Sequence, residues 1–219
     1  MTIQPKITTL WLLAVLRELA RFIALVTTAC STLLMLSSSA VAAAASPSVC
    51  AACHGPQGQG TSNGIPRLAG QNAGYLRNAL ALFKSGDRTN PVMQSVAASL
   101  SDADMRELAD YFSKQRAPNV DVAVDVPKAL VRSGKQLAER GSAGVAACFS
   151  CHGAQGTGNG AHFPSIAGQP AKFLATRLHE FQARARAHAA ESGTMTAVAA
   201  AMSEQQIQQA AAYLSKTDP

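Results

Sequence analysis

Two copies of one pentapeptide hold four of the five cysteines in this 219-residue chain. Each copy reads Cys-x-x-Cys-His, at residues 50–54 and again at residues 148–152, 98 positions further on. Three chemistries use cysteines paired this closely: thiol–disulfide exchange, zinc binding and covalent attachment of a c-type haem. The residue after each pair and the placement of the two copies discriminate among them.

The surroundings of the two pairs argue against the first two chemistries. Disulfide oxidoreductases carry Cys-x-x-Cys in a fold of strands and helices, and no strand pattern surrounds either copy here. A zinc site built from both pairs would have to join two separate repeats, although each pair already has a histidine of its own. Reduced zinc thiolates are also disfavoured in an exported protein, and this chain begins like one.

The histidine after each pair favours haem attachment. Cysteines at i and i+3 of a helix share a face, so both thiols reach the two vinyl groups of one porphyrin edge. The next residue then points at the ring centre, where it can bind iron. The sequence therefore predicts two covalently bound haem c groups, with iron as the metal. The residues predicted to bind them are Cys50, Cys53, His54, Cys148, Cys151 and His152.

The chain is an internal repeat of one module of about 70 residues. Matched segments begin at Pro66 and Pro164, each twelve positions after its histidine, and both end in Ala-Gly-Gln. After a four-residue insertion in the second copy, methionine, serine and tyrosine recur at matched spacing. This self-similarity indicates two structural units joined end to end.

Methionine is the predicted sixth ligand of each iron. Met93 and Met195 are the one pair of methionines at matched positions of the two copies. Two further methionines align with aliphatic residues, as core positions do, and three further histidines occur only in the second copy. The candidates set aside are Met105, Met202, His179 and His188. Among the three histidines, His162, two residues before Pro164, is the one that could approach a haem edge. Ligation by histidine and methionine fills both axial positions, so the chain is predicted to pass electrons and not to be an enzyme.

Helices must position these residues, because the sequence favours an all-α fold. Alanine is abundant, and β-branched residues do not alternate regularly. In each copy one helix is expected to end in the Cys-x-x-Cys-His, and a glycine-rich loop to run from there to the proline. A second helix is expected to begin near Asn72 or Pro170, and a loop to carry the methionine. A last helix is predicted to begin after Ser101 or Ser203, which suit N-caps.

The first 45 residues resemble a secretory signal peptide. Three basic residues precede a charge-free stretch at 22–36 and a zone of small residues at 37–45. An uncleaved membrane anchor is the alternative, because residues 22–45 carry no charge and are long enough to span a bilayer. The predicted organisation is a signal peptide at 1–45, an N-terminal domain at 46–116, an extended linker at 117–127 and a C-terminal domain at 128–219.

The charge distribution argues against a nucleic-acid-binding protein. The leader contributes three basic and one acidic residue to a net charge of +6, so the remainder carries +4, spread over both halves. A group of arginines in the second copy, Arg177, Arg184 and Arg186, is interpreted as a solvated helix face. Docking of a protein partner on these arginines is the alternative.

Together these residues resemble the dihaem cytochrome c4 family, which consists of two tandem class I cytochrome c domains. The resemblance rests on Cys-x-x-Cys-His-Gly, Pro-x-Leu/Ile-Ala-Gly-Gln and the matched Met, Ser and Tyr, and covers about residues 47–216. It implies a periplasmic electron carrier of a respiratory chain, with two domains packed so that the haems exchange electrons. It also implies that the carbonyl groups of Pro66 and Pro164 accept the second ring N–H of His54 and His152. One departure from the family concerns the helix before each haem motif. Only residues 46–49 lie between the predicted leader and the first motif, whereas residues 129–147 leave room for a helix before the second.

The resemblance implies redox proteins as partners. The donor would be a quinol-oxidising complex or a dehydrogenase, and the acceptor a terminal oxidase or a similar protein. The alternative function is the haem subunit of a periplasmic dehydrogenase acting on sulfide, thiosulfate or an alcohol. A dihaem peroxidase or another enzyme would need an iron that methionine does not bind. Peripheral association with the membrane is expected if the leader is not cleaved.

Overall fold

Helices and loops make up the part of the chain that the structure describes. The computed structural model describes residue 11 and residues 15–21, 45–116 and 126–219. The first copy contains α1 (Pro47–His54), α2 (Ala73–Ser85), α3 (Pro91–Ala98) and α4 (Asp102–Ser113). The second contains α5 (Lys128–Arg140), α6 (Cys148–His152), a 3₁₀ turn (Ala154–Gly156), α7 (Ala171–Ala187), α8 (Met195–Ala200) and α9 (Glu204–Leu214). Within these ranges the β pairing is limited to two isolated bridges, so the predicted all-α fold is confirmed.

Residues 44–219 form one compact unit in which the two copies contact each other. Residues 15–21, within the predicted leader, are helical, and Glu18 pairs there with Arg21 at 2.8 Å. The remaining leader, apart from residue 11 and Ala45, lies outside the described residues, as do linker residues 117–125. The signal peptide and the extended linker therefore stay predictions. No helix in the described ranges is long and apolar enough to cross a membrane.

Side-chain caps fix where several helices begin. The Asn72 side chain accepts a hydrogen bond from the N–H of Tyr75 at the start of α2, and α7 begins directly after Pro170. Both last helices begin with a capping box, in which a serine and the residue three positions later bond each other's backbone. The predicted starts of these four helices are confirmed.

The second copy is built around the crossing of α5 and α9. Leu137 and Ala138 of α5 are buried against Ile207 and Ala210 of α9. Gly134 lies at a close contact between the two helices, because a Cβ added there would be 2.0 Å from the Gln209 carbonyl oxygen. The additional helix expected before the second haem motif is therefore present as α5, and a glycine permits its contact with α9.

The methionines lie on helices, so the prediction that loops carry them is wrong. Met93 lies in α3, which the Asn90 side chain caps and which Pro91 begins. Met195 is the first residue of α8, which the Thr194 side chain caps. Proline suits a first helical position because the N–H that it lacks would have no partner within the helix.

Candidate functional site

Two buried histidines occupy matched positions at the ends of α1 and α6. His54 is 7% exposed and His152 is 6% exposed. Nδ1 of His54 lies 2.8 Å from the Pro66 carbonyl oxygen, and Nδ1 of His152 lies 2.8 Å from the Pro164 carbonyl oxygen. A carbonyl can only accept, so Nδ1 carries the proton and Nε2 keeps its lone pair. Both hydrogen bonds that the family resemblance implied are present.

Burial keeps these imidazoles neutral. It lowers the pKa of His54 and of His152, because the cation loses hydration, while the bond to the proline carbonyl opposes this in part. A neutral ring with Nδ1 engaged presents Nε2 as a metal ligand. The orientation suits one axial bond to iron.

Glycine-rich loops deliver the two proline carbonyls. In the first copy the N–H of Gly60 bonds the His54 carbonyl at 2.8 Å, and in the second copy Gly158 bonds His152 at 2.7 Å. Both glycines have positive φ, and a Cβ at either would lie within 3 Å of the returning strand of the loop. Each loop thus folds back over the end of its helix. This brings the proline, which lies twelve positions after the histidine, next to the imidazole ring.

The cysteines fit thioether attachment better than disulfide exchange or zinc binding. All four in the two pairs are free thiols, and the first of each pair, Cys50 or Cys148, is half-buried. Burial raises the pKa of Cys50, and it raises that of Cys148 to about 11. A redox-active or zinc-binding cysteine needs a stabilised thiolate, and burial opposes this at Cys50 and Cys148. No cluster of three or more His, Cys, Asp or Glu suited to a metal occurs in the described ranges.

The structure separates the candidate sixth ligands by environment. Met93 and Met195 are half-buried on α3 and α8, whereas Met105 and Met202 are buried in the cores of their copies. His162 and His188 are exposed, and His179 bonds Glu204 of α9 at 2.8 Å. The structure brings His54 and His152 together with their prolines, and their role as iron ligands stays a prediction. The assignment of Met93 and Met195 as iron ligands stays a prediction.

The interpretation of the arginine group as a solvated face is wrong for Arg177, whereas Arg184 and Arg186 are exposed as expected. The Arg177 side chain is 17% exposed, pairs with Glu180 and lies over the Phe181 ring. Burial, with repulsion from Arg88 of the first copy, lowers the pKa of Arg177 to about 10. Arg184 donates to the carbonyl oxygen of Asp87, which also belongs to the first copy. The face is therefore exposed at Arg184 and Arg186, although Arg184 also reaches the first copy, and it is largely covered only at Arg177.

Two glutamines that the sequence reasoning assigned no role join the two copies. Gln71 bonds the backbone of Ser165, and Gln169 bonds the backbone of Arg67. Their recurrence after each Ala-Gly was visible in the sequence. That recurrence carried no indication that they point across a module boundary.

Comparison with known proteins agrees with this geometry. The family model described as cytochrome c matches residues 40–115 and again residues 132–218. A thiosulfate dehydrogenase electron acceptor from Stutzerimonas stutzeri is 40% identical over 167 residues, which are 75% of this chain and 76% of the relative. Cytochrome c4 from Pseudomonas aeruginosa is 34% identical over 177 residues, covering 78% of this chain and 84% of that protein. The solved structure of Acidithiobacillus ferrooxidans cytochrome c4 matches with a TM-score of 0.68 at 31% identity, covering 77% of this chain and 99% of the other.

This chain belongs to the cytochrome c4 family. As a member it contains two tandem cytochrome c domains and two covalently attached haem c groups, and it is a dihaem electron carrier. Its partners are redox proteins, as the names of its relatives indicate. The free thiols and the oriented histidines fit the haem groups of a cytochrome c4.

Proposed function

We propose that this cytochrome c4 carries electrons in the periplasm, with a histidine and a methionine on each iron. The observation that carries the proposal is the matched pair of buried histidines, each with Nδ1 bonded to a proline carbonyl and Nε2 left for iron. In the first copy Cys50 and Cys53 hold the haem, and His54 and Met93 are the axial ligands. In the second copy the corresponding residues are Cys148, Cys151, His152 and Met195.

Each residue has a distinct task in this proposal. The bound haem supplies an iron that accepts or releases one electron. The cysteines would keep the group in place, and the histidine, oriented by the carbonyl of Pro66 or Pro164, would bind its iron through Nε2. The methionine sulfur, as the other ligand, would favour ferrous iron and raise the reduction potential. With both axial positions filled no substrate reaches the metal, so we propose electron transfer without catalysis.

The proposed location follows from the leader. Residues 1–45 direct export, and the mature chain begins near residue 46, where α1 follows almost at once. We keep the domain bounds 46–116 and 128–219, with residues 117–127 as the linker. In the periplasm a quinol-oxidising complex or a dehydrogenase donates electrons, and a terminal oxidase or a similar protein accepts them.

Carbon monoxide tests the axial ligands directly. It binds ferrous haem only where the sixth position is open or weakly held, so the reduced wild-type protein is expected to show an unchanged spectrum. Met93→Ala should open one of the two haems, and Met195→Ala the other. Met202→Leu is the matched control, because Leu100 occupies the equivalent position of the first copy and the core accepts either side chain. Binding of carbon monoxide to the wild-type protein would contradict the ligand assignment and favour an enzyme.

A second candidate function is electron acceptance from a thiosulfate dehydrogenase. The 40% identical relative from Stutzerimonas stutzeri is named for that role, and a second relative from Thiomonas intermedia bears the same name at 37% identity. Stopped-flow reduction by a thiosulfate dehydrogenase, compared with reduction by a quinol-oxidising complex, separates the two. Faster reduction by the dehydrogenase at low salt, lost at high salt, would favour the second candidate.

A further inference from the structure

Two glutamines each make a two-point contact with one backbone position of the opposite copy. Gln169 accepts the N–H of Arg67 at 3.0 Å and donates to the Arg67 carbonyl at 2.9 Å. Gln71 accepts the N–H of Ser165 at 2.8 Å and donates to the Ser165 carbonyl at 2.9 Å. Both glutamines are 4% exposed, so water does not compete for these bonds.

These contacts fall on the peptide groups that hold the axial histidines. The carbonyl of the Pro66–Arg67 peptide accepts from His54, and the N–H of the same peptide donates to Gln169. The Pro164–Ser165 peptide does the same between His152 and Gln71. Each glutamine is therefore connected, through a single amide group, to the histidine of the other copy.

An amide transmits polarisation between its two ends. Donation from the N–H shifts electron density toward the carbonyl oxygen, which becomes a better acceptor, and hydrogen bonds in such a chain strengthen one another. A stronger bond to Nδ1–H makes the imidazole a more basic ligand. A more basic ligand stabilises ferric iron and lowers the reduction potential.

We propose that Gln169 lowers the potential of the haem on His54 and that Gln71 lowers the potential of the haem on His152. Each glutamine acts as a positioning residue across the boundary between copies, and neither touches the haem that it tunes. The proposal rests on the axial roles of His54 and His152 given above. It makes the contact between the two modules a determinant of both potentials.

The variant Gln169→Met removes both hydrogen bonds and nearly preserves side-chain length. We expect the haem on His54 to become easier to reduce by roughly threefold, about 30 mV where one tenfold step is 59 mV for a single electron. The haem on His152 should shift much less, and Gln71→Met should give the reverse pattern. A potentiometric titration monitored by amide NMR resolves the two sites. The Gly55 amide signal reports the oxidation state of the iron near His54, and the Gly153 signal that of the iron near His152. Gln208→Met, on the exposed face of α9, is the matched control.

The direction in which a second variant shifts the reduction potential distinguishes the proposal from a merely structural role. Gln169→Glu keeps an acceptor for the Arg67 N–H and makes it negative, so the potential of the haem on His54 should stay low or fall further. If the substitutions only opened the contact between the copies, both variants would shift the reduction potentials in the same direction and would affect both haems. Equal shifts at the two haems, or a rise in both variants, would overturn the proposal.

Hydrogen exchange of the wild-type protein tests the same coupling if Gln169→Met prevents the copies from associating. Coupling is reciprocal, so the Arg67 amide should exchange about threefold more slowly when the haem on His54 is ferric than when it is ferrous. Identical exchange of Arg67 and Ser165 in both oxidation states would refute the proposal. If instead the Gly55 and Gly153 amide signals do not report the oxidation of two separate irons, the proposed function itself has failed.

Discussion

Gly134 of α5 and Gln209 of α9 are in such close contact that an added Cβ at residue 134 would lie 2.0 Å from the Gln209 carbonyl oxygen. The adjacent Leu137, Ala138 and Ile207 are buried in the same contact. The crossing of these two helices organises the core of the second copy.

Gly134→Ala should therefore force the two helices apart. We expect the second domain to lose about 3 kcal/mol of unfolding free energy, at the upper end of the usual penalty for an overfilled core. Guanidinium unfolding followed at the second haem measures the loss. The control is Ala129→Gly at the start of α5, which lowers helix propensity without steric overlap. Gly144→Ala is unsuitable as a control because residue 144 has a positive φ. An unchanged midpoint for Gly134→Ala would show that the crossing is looser than the structure indicates.

Ser203→Ala should destabilise the last helix of the second copy. The Ser203 hydroxyl accepts the Gln206 N–H at 3.2 Å, and the Gln206 side chain accepts the Ser203 N–H at 2.8 Å. Removal of an N-cap of this kind reduces stability by about 1 kcal/mol. Chemical denaturation measures the difference, and Ser203→Thr, which keeps the hydroxyl, should retain most of the stability.

The first copy should lose a stabilising contribution between about pH 4 and pH 2. In the full chain the Ser101 hydroxyl, the Ala45 N–H and the Ser101 N–H lower the pKa of Asp104 to about 2 from an ordinary value of 3.8. Cleavage after residue 45 removes the Ala45 contribution and leaves both contributions of Ser101. A carboxyl whose pKa is depressed by folding stabilises the native state above its unfolded value, and that stabilisation disappears as the pH falls through the folded value.

Asp104→Asn isolates this contribution from those of other carboxyls. The variant should be less stable than the wild type at pH 6, and the difference should shrink as the pH falls toward 2. The second copy provides an internal control, because Gln206 occupies the matched position and does not titrate. A difference that is constant from pH 6 to pH 2 would rule out ionisation of Asp104 as its cause.

Cys53→Ala should leave the haem of the first copy attached through Cys50 alone. One vinyl group then remains conjugated with the porphyrin, so the visible band of that haem should move to longer wavelength. Mass spectrometry of the denatured protein should still find two haems, and the double variant Cys50→Ala, Cys53→Ala should retain only one. Cys30→Ala, in the predicted leader, should change neither reading.

Repeated features with strong local chemistry could be predicted from the sequence. Serine followed three residues later by Asp104 or Gln206 fixed the starts of α4 and α9, because capping depends on neighbours in the chain. The hydrogen bond from His54 to Pro66 was implied by the family resemblance, and the matched twelve-residue spacing agrees with it. These features need no information about distant residues.

Other features depended on contacts that the sequence does not encode locally. The helices that carry Met93 and Met195 have eight and six residues, too few to display a helical period. Arg177 was interpreted as solvated because a charged residue on a helix gives no indication that its side chain will be largely buried over the Phe181 ring. The partners of Gln169 lie 102 positions away, so only the folded chain could identify them.

The contacts of Gln71 and Gln169 have the symmetry of a dimer. Equivalent positions of the two copies contact each other reciprocally, residue for residue, as in an isologous interface between identical subunits related by a two-fold axis. Such an interface needs no covalent connection between its halves. A one-module ancestor carrying this glutamine would already have possessed the contact as a homodimer, and duplication followed by fusion would have preserved it. After fusion the two halves were free to diverge. The first copy now has an arginine at position 67, where the second copy has a serine at the equivalent position 165.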